Sequence, residues 1–167
     1  SAGGNIEVRR LGCDGCGNCL AACPKDAIRL PGCSPAEIEA QIGALLTAGS
    51  TRSAGDLPER RVLFTCRKGI PAIAWEGSGG VGASPCWLPV VVPCAGMVPA
   101  GSILSLAASG VPVGLTACGD ACFPSQRVAV KERIDYCREL LRSFGASPEM
   151  VRLVGPEDDL EPIGAPA

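Results

Sequence analysis

Residues 61–66 read RVLFTC, a short apolar run that ends at a cysteine. Two further runs of the same kind follow, LPVVVPC at 88–94 and VPVGLTAC at 111–118. Their β-branched residues and turn-rich flanks favour strands that are buried on both faces. Pro89 and Pro112 are expected near the strand starts, because proline donates no hydrogen bond to a sheet. With a fourth strand predicted at 150–154, these runs indicate a small sheet.

Helical segments separate the predicted strands. One helix is predicted from Pro99 to Ser109 and is ended by Gly110, and the longest helix is predicted at 125–144 and is ended by Gly145. The longer helix has one apolar face, which carries Val130, Ile134, Cys137 and Leu141. Strands that alternate with helices indicate an α/β fold, here a small parallel sheet with flanking helices.

A parallel sheet has a chemical consequence for the cysteines that end its strands. Because parallel strands all finish at the same edge, Cys66, Cys94 and Cys118 are expected side by side there. Cys122 lies one turn beyond Cys118 and can reach the same place. Open α/β sheets bind ligands at this carboxyl edge. The sequence therefore predicts a site built from four thiols.

A second group of cysteines lies near the start of the chain. Residues 13–24, CDGCGNCLAACP, have the C-x-x-C-x-x-C-x-x-x-C-P spacing of bacterial ferredoxins. This spacing predicts a 4Fe–4S cluster bound by Cys13, Cys16 and Cys19. The fourth ligand is predicted to be Cys23, although in two-cluster ferredoxins the cysteine before proline binds the other cluster. Cys33 is the alternative fourth ligand, and a thiol from a partner chain is a third possibility.

A helix follows this ferredoxin-like module. Ser34 and Glu37 have the spacing of a capping box, and Pro35 suits the first helical position. An apolar stripe then repeats at helical spacing, through Ile38, Ile42, Leu45 and Leu46. We divide the chain accordingly into a ferredoxin-like module with its helix at 1–48, a linker at 49–60, an α/β domain at 61–155 and a tail at 156–167.

Composition limits the function classes that this chain can serve. Its 167 residues include 11 cysteines and no histidine, and the formal net charge is −2. That charge gives no basic field for nucleic acid. With no apolar run long enough for a membrane span and no signal-peptide pattern, the prediction is a cytoplasmic protein that uses its cysteines for metal or redox chemistry. Without histidine the ligation is all-thiolate, as in iron–sulfur clusters or a four-cysteine zinc site.

Two cysteines stand apart from both groups. Cys137 lies on the apolar face of the longest predicted helix, so it is predicted to be a buried structural thiol. Cys86 lies in a Gly/Ser-rich stretch and is either a loop thiol or an additional ligand.

The chain resembles two families of anaerobic electron-transfer proteins. Residues 13–46 resemble the last ferredoxin half-motif and following helix of HdrA-type heterodisulfide reductase flavoproteins. Residues 60–66, 88–110 and 111–153 resemble the delta subunit of methyl-viologen-reducing hydrogenase (MvhD), in the order of their cysteines and glycines.

The MvhD resemblance implies a 2Fe–2S cluster at Cys66, Cys94, Cys118 and Cys122. It also implies a partnership with an HdrA-like flavoprotein and a hydrogenase, formate dehydrogenase or similar redox subunit, between which electrons pass. The chain departs from the family at Gly69, where a further cysteine is usual, and in the turn after Cys94, which lacks the usual arginine. The closing cysteine pair is also one residue closer together than is usual.

The leading functional hypothesis is therefore an electron-transfer subunit that is not a catalyst by itself. A second hypothesis is a thiol–disulfide oxidoreductase that uses Cys118 and Cys122, although thioredoxin-type sites have two residues between their cysteines rather than three. A third is a zinc-stabilised scaffold protein.

Overall fold

The computed structural model of the chain describes residues 12–25, 27–47, 60–66, 87–116, 122 and 124–155. Within these ranges the helices are α1 (Asn18–Ala22), α2 (Pro35–Thr47), α3 (Ala100–Ala108) and α4 (Pro124–Ser143). The strands are β1 (Arg61–Thr65), β2 (Trp87–Val91), β3 (Val113–Thr116) and β4 (Val151–Val154). Short 3-10 turns occur at Ala95–Met97 and Pro148–Met150.

The four described strands form one parallel sheet in the order β2-β1-β3-β4. Leu63 in the centre of β1 pairs with Pro89 on one side and with Gly114 on the other. The predicted fold class, a small parallel sheet with flanking helices, is confirmed.

The direction in which the chain crosses the sheet reverses between β1 and β3. From β1 the chain continues to β2 on one side, whereas from β3 it continues to β4 on the other side. In open α/β sheets such a reversal opens a ligand-binding crevice at the carboxyl ends of the two strands. Here Thr116 Oγ1 lies 3.5 Å from both the Phe64 carbonyl oxygen and Thr65 Oγ1.

The core combines alternate residues of the strands with the apolar faces of the helices. Val62 and Phe64 of β1 belong to one buried cluster with residues of the other strands, namely Val90, Val113, Leu115 and Val151. The helices contribute Ile38, Ile42, Ile103, Leu106, Val130, Ile134, Cys137 and Leu141. The predicted apolar face of α4 is confirmed. Each fully buried aliphatic side chain contributes about 1.5–3 kcal/mol relative to an exposed one.

The helix ends follow the predicted signals. The α2 capping box forms: Ser34 N–H donates to Glu37 Oε2 at 2.8 Å, and Glu37 N–H donates to Ser34 Oγ at 3.3 Å. The helices α3 and α4 are followed by Gly110 and Gly145, whose φ angles of 78° and 72° lie in the left-handed region that glycine adopts without strain.

Two predictions about β2, its burial on both faces and the place of Pro89 near its start, were wrong. The central strands β1 and β3 are buried along their whole length, but β2 is only partly buried and Val91 is exposed. Pro89 lies in the middle of β2 rather than near its start. The reason is that β2 is at the edge of the described sheet and has a neighbouring strand on one side only. The N–H group that proline lacks is therefore not needed for pairing with a second strand.

The predicted tail at 156–167 and the predicted linker at 49–60, apart from Arg60, lie outside the described residues. The division into domains stays a prediction. None of the helices that the structure describes is both long and apolar enough to cross a membrane.

Candidate iron–sulfur sites

Three of the four thiols predicted at the carboxyl edge are buried there. Cys66, Cys94 and Cys122 are 3%, 3% and 6% exposed. Cys66 directly follows β1, and Cys122 lies two residues before α4. Val92 N–H donates to the Thr65 carbonyl oxygen at 2.8 Å, so the chain leaves β2 beside Cys66 and carries Cys94 to the same edge. The fourth predicted ligand, Cys118, lies outside the described residues.

The thiols at this edge are electrostatic neighbours. Burial raises the pKa of the Cys94 thiol above its ordinary value, while a hydrogen bond from the Gly96 N–H lowers it. Charge on Cys16, Cys66 and Cys122 raises the pKa of Cys94 further. Cys16 of the ferredoxin motif, Cys66 and Cys122 therefore all lie within electrostatic range of Cys94.

Among the described residues, no three cysteine or carboxylate side chains lie close enough together to hold a metal ion. Two thiolates on one zinc ion stand within ~4 Å of each other, because each Zn–S bond is about 2.3 Å long. In a 4Fe–4S cluster each cysteine binds a different iron atom, whereas the four cysteines of a 2Fe–2S cluster bind in pairs, two to each iron atom.

The ferredoxin motif forms a loop followed by the short helix α1. Cys13 and Cys19 are exposed, and Cys16 and Cys23 are partly buried. Gly15 and Gly17 have φ angles of 63° and 77°, which let the loop curl tightly without strain.

In both groups of cysteines, a backbone N–H donates a hydrogen bond to a cysteine sulfur, as is typical of cluster ligands. Ala27 N–H donates to Cys23 Sγ at 3.4 Å, and Gly96 N–H donates to Cys94. Hydrogen bonds to sulfur stabilise thiolate charge and are among the features that set cluster potentials. The donor set, soft thiolates with amide donors and no imidazole, fits iron–sulfur ligation.

Residues 6–29 match the family model of the 4Fe-4S binding domain. The match contains Cys13, Cys16, Cys19 and Cys23 and ends before Cys33. A search of curated proteins found no match for the chain. The 4Fe–4S cluster and an iron–sulfur electron-transfer role are thus supported by the family match, by the cysteine spacing and by the conformation of the loop.

The two candidates for the fourth ligand of this cluster line one cleft. Cys23 and Cys33 both border a cavity of about 520 Å³ between α1, the start of α2 and the Met97–Ser102 segment. The pKa of the Cys33 thiol is raised by burial and then by the negative charge of Glu37. Cys23 and Cys33 both remain candidates.

The cysteines that were predicted to stand apart have different outcomes. Cys137 is fully buried on α4, as expected for a thiol that fills space in the core. Cys86 lies outside the described residues.

Sequence reasoning missed a direct contact between the two cysteine groups. A Cβ atom added at Gly17, in the ferredoxin loop, would lie 2.8 Å from Met97 Sδ. A Cβ atom added at Gly96, in the turn after Cys94, would lie 2.9 Å from Asn18 Oδ1. The only signal in the sequence is that both contact points are glycines, which allow close backbone approach.

Proposed function

We propose that this chain is an electron relay that holds two clusters. The first is a 4Fe–4S cluster bound by Cys13, Cys16, Cys19 and Cys23, and the second is a 2Fe–2S cluster bound by Cys66, Cys94, Cys118 and Cys122. The observation that carries the second site is the burial of Cys66, Cys94 and Cys122 at one edge of the parallel sheet.

Electrostatics favour a cation at this edge. Burial raises the pKa of the Cys94 thiol, and the charge of Cys16, Cys66 and Cys122 adds to this effect. A cation held by Cys66, Cys94 and Cys122 would offset the repulsion and favour their thiolate forms. Two of these buried thiols follow strands and the third precedes a helix. Core packing by itself does not require three thiols at these positions.

The chain's own residues have simple tasks in this relay. When bound, the clusters supply one-electron redox chemistry. The surrounding core excludes water from Cys66 and Cys94, while the N–H groups of Gly96 and Ala27 stabilise charge on Cys94 and Cys23. No acid or base is needed, which agrees with the absence of histidine.

The partners follow from the resemblance described above. We infer that electrons pass between a hydrogenase, a formate dehydrogenase or a similar redox subunit and an HdrA-like flavoprotein, within a larger anaerobic complex. This inference is supported by the order of cysteines and glycines that the chain shares with the MvhD family. Anaerobic co-purification from the source cells tests it, and recovery of neither kind of partner would contradict it.

The second cluster is tested by Cys94→Ala, with Cys137→Ala as the matched control. Both substitutions remove a buried thiol, but only Cys94 lies at the sheet edge. In anaerobically prepared protein, Cys94→Ala is expected to abolish the 2Fe–2S EPR signal and keep the 4Fe–4S signal, while Cys137→Ala keeps both. Two unchanged signals in Cys94→Ala would overturn the sheet-edge site.

Metal and sulfide analysis of the unmodified chain distinguishes the other functions. Iron with acid-labile sulfide supports the relay. Zinc without iron supports the scaffold hypothesis, and the absence of both metals supports a thiol–disulfide oxidoreductase.

A further inference from the structure

The ferredoxin loop packs directly on the turn that follows β2. This turn, Cys94–Met97, lies between α1 on one side and α4 on the other. Met97 is 1% exposed, and Gly17 is buried against it. We call this contact the loop–turn junction, defined by Gly17 and Asn18 on the loop side and by Gly96 and Met97 on the turn side.

The junction leaves no room for side chains at its glycines. Besides the contact with Asn18 Oδ1, a Cβ atom at Gly96 would lie 3.4 Å from Ala129 Cβ and from Val130 Cγ2 of α4. Gly17 also has a φ angle of 77°, which other residues rarely adopt. A side chain at Gly17 would therefore have to displace Met97, and a side chain at Gly96 would have to displace Asn18.

The side chain of Asn18 has a buried polar atom at the junction. Its Oδ1 atom is buried and accepts no hydrogen bond from any residue that the structure describes. A buried polar atom without a partner is destabilising, so the close packing here is maintained at some cost in stability.

We propose that the loop–turn junction is the electron-transfer contact between the two cluster sites, with Cys16 and Cys94 as the facing ligands. The proposal rests on the function proposed above and goes beyond it by naming where the two sites meet and which residues set their separation. Gly17, Gly96 and Met97 are positioning residues, because they set how the loop packs on the turn without binding iron.

The step itself is a single electron transfer. One electron leaves the site that contains Cys16 and arrives at the site that contains Cys94, or moves in the reverse direction. One site is oxidised by one electron and the other is reduced by one, while no bond forms or breaks and no proton moves.

The test is the magnetic interaction between the two reduced sites in the full chain. In the unmodified protein, EPR signals of the fully reduced state are expected to be broadened relative to a partly reduced state in which only one site is paramagnetic. Two sharp, independent signals in the fully reduced protein would overturn the proposal. If only one cluster is present, the proposed function itself fails, and this outcome is distinguishable from the first.

A wedge variant tests the residues of the junction. Gly96→Val is expected to push the loop away and to reduce the broadening, and the iron content of the variant is measured alongside. Gly43→Val is the matched control, because Gly43 is exposed on α2 and, apart from its chain neighbours and the backbone of its own helix, no described atom lies within 4 Å of its added Cβ. It is expected to keep the full broadening.

A rescue variant separates a positioning role from a general loss of structure. Asn18→Ala combined with Gly96→Val removes the amide that the new side chain meets, so the broadening is expected to return at least in part. Broadening in Gly96→Val equal to that of the unmodified chain would refute the assignment of Gly96. If Gly96→Val loses a cluster, the comparison of reduction states in the unmodified chain still decides whether the sites are in contact.

Discussion

Gly114 illustrates how strongly the sheet constrains a single residue. It lies in the centre of β3 and pairs with Leu63 and Arg152. A Cβ atom there would lie 2.8 Å from Leu63 Cδ1, 2.9 Å from Trp87 Cζ3 and 3.0 Å from Val154 Cγ2. Side chains from three other strands therefore fill the space above this glycine.

We expect Gly114→Ala to lower the free energy of unfolding by about 1–3 kcal/mol, as overpacking of a buried site does. Urea unfolding monitored by circular dichroism measures this change. Gly43→Ala is the control, because it replaces an exposed helical glycine and is expected to raise the free energy of unfolding by about 0.5–1 kcal/mol. Equal effects of the two substitutions would mean that the space around Gly114 is not filled.

Cys137 links a buried residue to the pH dependence of stability. Burial raises the pKa of its thiol from an ordinary 9.0 to about 11, while Arg133 opposes the shift. A group whose pKa is raised in the folded state favours folding below its ordinary pKa and loses that contribution as pH rises through the folded pKa. The relevant interval is therefore pH 9 to about 11.

We expect the unmodified chain to lose roughly 2–3 kcal/mol more stability than Cys137→Ala as pH rises through this interval, since one pKa unit corresponds to about 1.4 kcal/mol. Unfolding curves of both proteins at several alkaline pH values test the difference. Parallel pH profiles would show that Cys137 does not titrate differently in the folded and unfolded states.

The helix α2 shows how local signals define an element. Its capping box satisfies the N–H groups of Ser34 and Glu37, and its next turns place Ile38 and Ile42 in the core. Hydrogen bonds from the Ser34 hydroxyl and N–H lower the pKa of Glu37. The contribution of the box is therefore present above the ordinary pKa of Glu37 and is lost as pH falls through its folded value.

We expect Ser34→Ala to lower the free energy of unfolding by about 1 kcal/mol at neutral pH, because N-cap substitutions typically have this effect. The loss should shrink in acid, where Glu37 is protonated in both proteins. Ser143→Ala is the control: its hydroxyl donates to the Glu139 carbonyl near the end of α4, where no N-cap is involved. A loss for Ser143→Ala as large as that for Ser34→Ala would contradict the capping role.

At the scale of the whole molecule, two features connect the ferredoxin motif with the α/β sheet: the packing between them and the cysteine thiols near that contact. A cluster that binds only to the folded state stabilises that state by mass action. Because the junction connects the ferredoxin loop to α4 through the turn after β2, stabilisation at either site is expected to spread through the core.

We expect the anaerobically loaded chain to unfold at a higher temperature than the chain freed of iron by a chelator. A ligand present at about 100 times its dissociation constant adds roughly 2.7 kcal/mol to the free energy of unfolding. For a chain of this size, that gain raises Tm by about 5–10 °C. Loaded Cys94→Ala, which retains one cluster, is expected to fall between the two. Identical melting temperatures for loaded and iron-free chains would contradict the coupling of cluster binding to folding.

Most elements and both thiol groups could be predicted from the sequence. Cysteine spacing identified the 4Fe–4S motif, and the capping box, the glycines after α3 and α4 and the apolar face of α4 were confirmed. The gathering of Cys66 and Cys94 at one edge followed from parallel topology alone. These signals depend on neighbours within a few residues or on a general rule of parallel sheets, so they can be read without coordinates.

Tertiary structure decided the strand order and the docking of the ferredoxin loop. The place of β2 at the sheet edge allows Pro89 to lie in mid-strand, and the contacts of Gly17 with Met97 and of Gly96 with Asn18 dock the ferredoxin loop on the turn that begins at Cys94. These features depend on which distant surfaces bury each other, and that choice depends on the summed packing of many side chains. No local pattern of spacing or periodicity in the sequence predicts which surfaces pack together.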